Sequence, residues 1–284
     1  MFEILRKNQL APNLIRMDIL APRIAKKAMP GQFILLRVCE EGERIPLTIA
    51  DYDREEGSIS IIYQIVGLTT GLLSKLNAGD AILDFVGPLG KPSHFEKGSR
   101  VLCIGGGVGT AVVYPQVKWL HENGYRVDAI QGARSEEYLI LMDELKAHTE
   151  NLYITTDDGS YARKGFVTDV LRELLEKGED YDMVVAIGPP IMMKFVAATT
   201  RPFGVKTMVS LNPIMIDGTG MCGGCRVVVG GEVKYACVDG PDFDGHLVDF
   251  DSLQTRFGMF RQQEAEKNEK HKNCGVREGC LYAE

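Results

Sequence analysis

Cys222, Cys225 and Cys237 crowd into a glycine-rich stretch near the end of the chain, and Asp217 stands five residues before the first of them. The run Asp217-Gly218-Thr219-Gly220-Met221-Cys222-Gly223-Gly224-Cys225 reads as Asp-x4-Cys-x2-Cys, with Cys237 following after eleven more residues. Plant-type [2Fe–2S] centres use C-x4-C-x2-C and a distant fourth cysteine. Here the spacing is intact and Asp217 takes the first position. A carboxylate can ligate ferric iron, so the set Asp217, Cys222, Cys225 and Cys237 is a candidate for such a cluster. The glycines suit a loop that must wrap tightly with its amides aimed at sulfur. A zinc site built from the three thiols with Asp217 or His246 competes, as do unliganded thiols in a flexible loop. The lack of a second close cysteine pair weighs against zinc.

A second chemistry is legible between residues 100 and 190. The apolar run Arg100-Val101-Leu102-Cys103-Ile104 ends in Gly105-Gly106-Gly107-Val108-Gly109-Thr110. Glycines there let a pyrophosphate approach the backbone, and a following helix would offer unpaired amides. As a strict G-x-G-x-x-G the match fails at Thr110, and a tight turn without ligand is the competing reading. Asp157, in Thr156-Asp157-Asp158-Gly159-Ser160, and Gly188-Pro189 each follow another expected strand. Three such strand ends in one sheet imply a dinucleotide crevice. Arg134 follows the second strand and could meet a 2′-phosphate or be merely solvated, so the choice between NAD(H) and NADP(H) stays open. Met192 and Met193 read as packing residues on spacing alone.

The elements that must position these groups fall into a multidomain order. Residues 1–97 carry short β-rich runs, 32–38, 58–64 and 81–86, punctuated by Gly31, Gly57 and Gly87-Pro88, and predict an antiparallel β-barrel with a short helix over 70–76. Within it, Arg44-Ile45-Pro46-Leu47-Thr48-Ile49 and Gly67-Leu68-Thr69-Thr70-Gly71 combine a cation, hydroxyls and a turn, although composition alone prefers a plain strand and hairpin. Residues 98–210 alternate strand and helix and predict a parallel α/β sheet. Residues 211–250 form the cysteine segment. Residues 251–284 are a charged stretch, with a helix expected over 262–272, and a tail containing Cys274 and Cys280 to which no metal pattern is matched. Cys39 and Cys103 lie in apolar runs and are expected in the core.

Composition narrows the partners. Lys and Arg total 32 against 39 Asp and Glu, a formal charge of −7, which argues against a grip on nucleic acid. The first residues are charged where an export peptide needs an apolar run, and no stretch is long enough to span a bilayer. A cytoplasmic location and no membrane partner are therefore expected.

Barrel, glycine-rich α/β unit and C-terminal two-iron segment, in that order, resemble the ferredoxin–NADP reductase superfamily, and within it the branch of dihydroorotate dehydrogenase electron-transfer subunits. The resemblance spans residues 1–250. It implies FAD held by Arg44, Pro46, Leu47, Thr48 and Ile49, with Tyr63, Gly67, Thr69 and Thr70. It also implies NAD(H), with NADP(H) as the alternative, held by Gly105, Gly106, Gly107, Val108, Gly109, Thr110, Arg134, Asp157, Gly188, Pro189 and Met192. No acid–base catalytic residue is implied. Two departures stand out. Arg44 lies one residue earlier than the family's flavin arginine, which in a strand would reverse its face, and Asp217 replaces cysteine. Both features are similar to the small subunits of NADH-dependent reduced ferredoxin:NADP oxidoreductases, electron-bifurcating heterodimers. That similarity implies a larger iron–sulfur flavoprotein partner and, through it, ferredoxin. Electron-transfer subunits of NAD-dependent dihydroorotate dehydrogenases, and sulfide dehydrogenase or ferredoxin–NADP reductase subunits using NADP(H), are the alternatives.

Overall fold

In the computed structural model, which describes residues 1–40 and 42–273, the first domain is built from β1 (Phe2–Ala11), β2 (Leu14–Leu20), β3 (Phe33–Arg37), β4 (Ile45–Asp53), β5 (Ser58–Gln64), β6 (Ala81–Ile82) and β7 (Asp84–Leu89), with helices α1 (Pro22–Ala25) and α2 (Leu68–Leu73). The strands form one antiparallel sheet in the order β6-β1-β2-β5-β4-β3-β7. β6 runs into β7 across Leu83, so the two ends of the order come together and the barrel is nearly closed. Alternation decides what lies inside. Ile34 and Leu36 of β3 point into the barrel with Ile4, Met17, Ile49 and Ile61, whereas Phe33 and Leu35 point outward into a core shared with the rest of the chain.

The second sheet contains β8 (Arg100–Gly106), β9 (Arg126–Ala133), β10 (Asn151–Thr156), β11 (Arg163–Lys164), β12 (Met183–Ile187) and β13 (Lys206–Ser210). It is flanked by α3 (Gly109–Glu122), α4 (Met142–Ala147), α5 (Val167–Glu176) and α6 (Pro190–Thr200). Helix α5 shows how these elements seat themselves: Val167, Val170, Leu171, Leu174 and Leu175 recur at helical spacing and are all buried. Helix α3 joins the domains. Its Tyr114 and Val117 share a core with Ala11, Leu14, Ala50 and Ile62 of the barrel, and Lys118 pairs with Asp51 at 2.9 Å.

The cysteine segment adds a hairpin, β14 (Arg226–Val229) and β15 (Glu232–Tyr235), then α7 (Ala236–Asp239), β16 (Asp242–Asp244), α8 (Phe250–Phe257) and α9 (Arg261–Asn273). The expected all-parallel sheet needs one amendment. β16, which follows Cys237, joins the edge strand β13 antiparallel and gives the order β11-β10-β9-β8-β12-β13-β16. The segment after 250 is also less tail-like than its charge implies, because Phe250 and Leu253 are buried in the core that holds Cys225 and Cys237. Cys103 is fully buried as expected, but Cys39 lies half-buried beyond the end of β3. Cys274 and Cys280 lie outside the described residues.

Candidate functional site

The cysteine loop leaves the second sheet after Leu211 and crosses the outer face of the barrel. A Cβ on Gly218 would lie 2.7 Å from Leu35 Cδ1 and 2.9 Å from Leu89 Cδ1, so this position, at φ +81°, permits nothing larger than glycine. Four expected ligands fall into two pairs. Cys225 and Cys237 are buried with their sulfurs 3.2 Å apart. Burial, and then the neighbouring Cys225 thiol, push Cys237 up to about 12. Cys222 is exposed, and its sulfur accepts the Gly224 amide at 3.5 Å. That amide first, with those of Asp217 and Ile216 adding to it, holds the Cys222 thiol below its ordinary value. Asp217 Oδ2 accepts the Thr219 hydroxyl, the Thr219 amide at 3.0 Å and the Met221 amide at 3.3 Å. The Thr219 hydroxyl leads in keeping this carboxyl low, and the Arg44 charge contributes a smaller pull.

These donors fit a cluster. Amides already aimed at sulfur and carboxylate favour anionic ligands, and two pairs match the need of two irons for two protein ligands each. Among the described residues no three His, Cys, Asp or Glu side chains converge on a single-ion site. His246, the alternative zinc ligand, is instead engaged with Thr200 Oγ1 at 2.9 Å. One group was invisible in sequence: Arg256 of α8 donates to the Gly224 carbonyl at 2.9 Å. Nothing in the spacing announces a contact 32 residues away.

The expected nucleotide residues do gather along one edge. β10, β9, β8 and β12 are parallel neighbours, so Asp157, Arg134, the Gly105–Gly109 turn and Gly188-Pro189 lie side by side beyond their carboxyl ends. Arg134 is exposed, with its guanidinium 5.3 Å from the centre of the Tyr138 ring. Two residues are placed differently from expectation, and a third, Met192, packs as its spacing implies. Thr110 is buried, and its hydroxyl has no partner among the described residues, because the start of α3 is pressed onto β8. The Gly107 amide is already given to the Gly132 carbonyl at 2.8 Å, so donors for a pyrophosphate must come from the residues after it. Met192 sits over the turn: Cβ atoms on Gly106 and Gly188 would meet its side chain at 2.4 and 2.7 Å. The packing role read from spacing is therefore the one the side chain fills, alongside any contact with a nucleotide. The residues still fit a dinucleotide, since Gly107, at φ +57°, borders open space.

In the barrel, Pro46, Leu47 and Thr48 of β4 are half-buried and Ile49 is buried. Register pairs Pro46 with Leu35 and Thr48 with Phe33, which puts Pro46 and Thr48 on the outward face beside the cysteine loop. Leu47 and Ile49 turn toward the barrel interior. Tyr63 does not join the expected flavin set. It is 1% exposed inside the barrel, and its hydroxyl donates to Met17 Sδ at 3.7 Å, because Tyr63 falls on the inward face of β5. Thr69 is buried. Thr70 accepts the amides of Val66 and Gly67, both at 3.1 Å, so it caps α2. Positions Gly67 and Gly71 border open space, as a bulky ligand would require. Arg44 stands before the strand, exposed and 4.0 Å from Asp84 Oδ2.

Known proteins match these segments and this fold. Residues 212–249 match a model described as the iron-sulfur cluster binding domain of dihydroorotate dehydrogenase B, and residues 103–198 match an oxidoreductase NAD-binding domain. The chain is 51% identical to an uncharacterized protein in the adh 3′ region of Clostridium beijerinckii, covering 98% of this chain and 99% of that one. It is 49% identical to a dihydroorotate dehydrogenase B (NAD(+)) electron transfer subunit homolog of Thermotoga maritima, covering 92% of each. A solved structure described as giving insights into flavin-based electron bifurcation, that of NADH-dependent reduced ferredoxin-NADP oxidoreductase, aligns with a TM-score of 0.91. It shares 47% identity over 96% of this chain and 98% of that one. Among the described residues no helix is long and apolar enough to cross a membrane. With an NAD-binding domain and an iron–sulfur segment on a ferredoxin-reductase-like barrel, the chain belongs to the family of dihydroorotate dehydrogenase B electron-transfer subunits and their homologues, and is an oxidoreductase subunit.

Proposed function

We propose that this chain is the small subunit of an electron-bifurcating NADH-dependent reduced ferredoxin:NADP oxidoreductase. Its cofactors are FAD, a [2Fe–2S] cluster and NAD(H), and it works beside a larger iron–sulfur flavoprotein subunit that deals with ferredoxin. The observation that carries the reading is Asp217 in the first ligand position, paired with Cys222 on a loop packed against the barrel face of Pro46 and Thr48. When bound, NADH and FAD exchange a hydride, and the cluster carries single electrons onward.

The chain's own residues supply position and electrostatics. The Gly105–Gly109 turn and the start of α3 receive a pyrophosphate, while Gly188-Pro189 bounds the crevice on the β12 side. Thr48 and Pro46, on the outward face, would border the flavin ring, with the Thr48 hydroxyl as its polar neighbour. Asp217, Cys222, Cys225 and Cys237 would hold the irons, and the barrel wall under Gly218 fixes that loop on the same face as Pro46 and Thr48. Arg134 and Asp157 bound the far end of the nucleotide.

The name of the Thermotoga relative favours a second reading, an electron-transfer subunit serving dihydroorotate oxidation. Purification of the native complex separates the two. A co-purifying larger iron–sulfur flavoprotein that couples NADH to NADP(H) and ferredoxin supports the proposal, and a dihydroorotate-oxidising partner replaces it. A colourless, properly assembled protein holding stoichiometric zinc would defeat both.

A further inference from the structure

Arg256 sits in the last turn of α8, outside the segment matched as the iron–sulfur domain. The same helix buries Phe250 and Leu253 in the core that contains Cys225 and Cys237, and Asp249 caps its first turn by accepting the Ser252 amide at 2.9 Å. Arg256 is thus delivered to the loop by a fixed element. Its contact point is specific. Gly224 gives its amide to the Cys222 sulfur at 3.5 Å and receives Arg256 on its carbonyl at 2.9 Å. A single glycine between two ligand cysteines is therefore held from both ends.

The rest of the guanidinium is unbalanced. Its Nε is enclosed and has no hydrogen-bond partner, and among the described residues Arg256 makes no salt bridge. The residue as a whole is half-buried, but a guanidinium with an enclosed, unpartnered Nε and no carboxylate beside it is best balanced by something negative nearby. Two irons with two sulfides, three thiolates and a carboxylate carry net negative charge, and reduction adds one more unit. The other guanidiniums around the loop do not fill this place: Arg226, whose side chain approaches Gly223, and Arg44 are both exposed.

We propose that Arg256 is the positioning and counter-charge residue of the [2Fe–2S] site, fixing the Cys222–Cys225 turn through Gly224 and favouring the reduced cluster. The proposal rests on the reading that Asp217 and the three cysteines hold that cluster. Charge on a neighbouring group and hydrogen bonding around the ligands are the levers that set such potentials.

The test is a redox titration of the cofactor-loaded complex, followed by electron paramagnetic resonance, with iron content measured in parallel. Arg256→Gln keeps a donor and removes the charge. It should lower the midpoint so that the oxidised-to-reduced ratio at a fixed potential rises about tenfold, equivalent to about 59 mV for a one-electron couple. Arg256→Lys should hold the potential near wild type while releasing iron faster, because a single ammonium replaces the planar fork. An Arg256→Gln protein with full iron and an unmoved midpoint overturns the proposal. Where Arg256→Gln fails to fold, the lysine variant decides: a midpoint near wild type supports the counter-charge, and one lowered by about 59 mV at full iron overturns it. A wild-type protein with no two-iron signal on reduction would instead defeat the underlying cluster reading.

Discussion

The cysteine loop and the turn after β8 are both glycine-dense, yet glycine answers to different demands in each. In the cysteine loop, Gly218 adopts φ +81° and lies against Leu35 and Leu89, in a turn where Asp217 accepts the Thr219 and Met221 amides and Cys222 accepts that of Gly224. In the turn, Gly109 is helical, and the space it vacates is taken by protein: a Cβ there would lie 2.2 Å from the Ile187 carbonyl oxygen. Gly106 similarly makes room for Met192. A glycine-rich motif thus reports that space is needed and leaves open whether cofactor or chain will fill it. Ligand spacing is the more direct record, since sulfur and carboxylate have few other reasons to recur at that interval.

The largest effect that could break this contrast is loss of the cluster. Cys225→Ser should abolish the two-iron signal and the associated visible shoulder, measured as iron per chain. Retention of a wild-type spectrum would remove Cys225 from the ligand set. Gly109→Ala comes next. The Ile187 carbonyl belongs to a central strand and cannot step aside, so overpacking should cost about 3 kcal/mol in urea unfolding, with or without nucleotide. A loss seen only in nucleotide affinity would return this glycine to the ligand.

Asp242 tests the strand that ties the two regions together. Its carboxyl accepts the Ser93 hydroxyl, while Oδ1 is enclosed without a partner among the described residues. Burial pushes the group up to about 6, above its unfolded value of about 3.9. A raised carboxyl means that the folded chain holds the proton more tightly. The stability it contributes is therefore complete below the unfolded value and is lost as pH rises through about 6. Asp242→Asn should stabilise the protein by about 2 kcal/mol at pH 8 and change little near pH 4, as read by urea unfolding at both. Asp217→Cys should have the smallest effect on stability, because the half-buried side chain bonds only within its own loop, but it should alter the resonance spectrum and midpoint of the reduced cluster. An unchanged spectrum would mean Asp217 does not ligate iron.

Much of the layout was legible because it rests on local signals. The barrel-then-α/β order, helices close to α3, α5 and α9, and an iron–sulfur segment over 212–249 all follow from period, punctuation and spacing. What escaped depends on partners distant in sequence. Tyr63 reads as a flavin contact until β5 takes its place and turns it toward Met17. Thr70 offers a free hydroxyl in sequence and in the fold spends it on the amides of Val66 and Gly67. Asp242–Asp244 is too short and polar to announce a strand, and it becomes one because β13 offers an open edge. Arg256 looks like a surface cation until α8 packs under the loop.

The seam formed by β16 bears on how electrons leave. Carrier domains on slack linkers deliver charge by swinging between stations, and their throughput depends on the search. Here the strand downstream of Cys237 is woven into the nucleotide sheet, and Phe33 and Leu35 of the barrel share one core with Cys225. The segment is hard-wired. On the proposed ligand set, an acceptor would approach the exposed Cys222 side of the loop, and the distance an electron tunnels within the chain would be set once, at folding, rather than at every turnover.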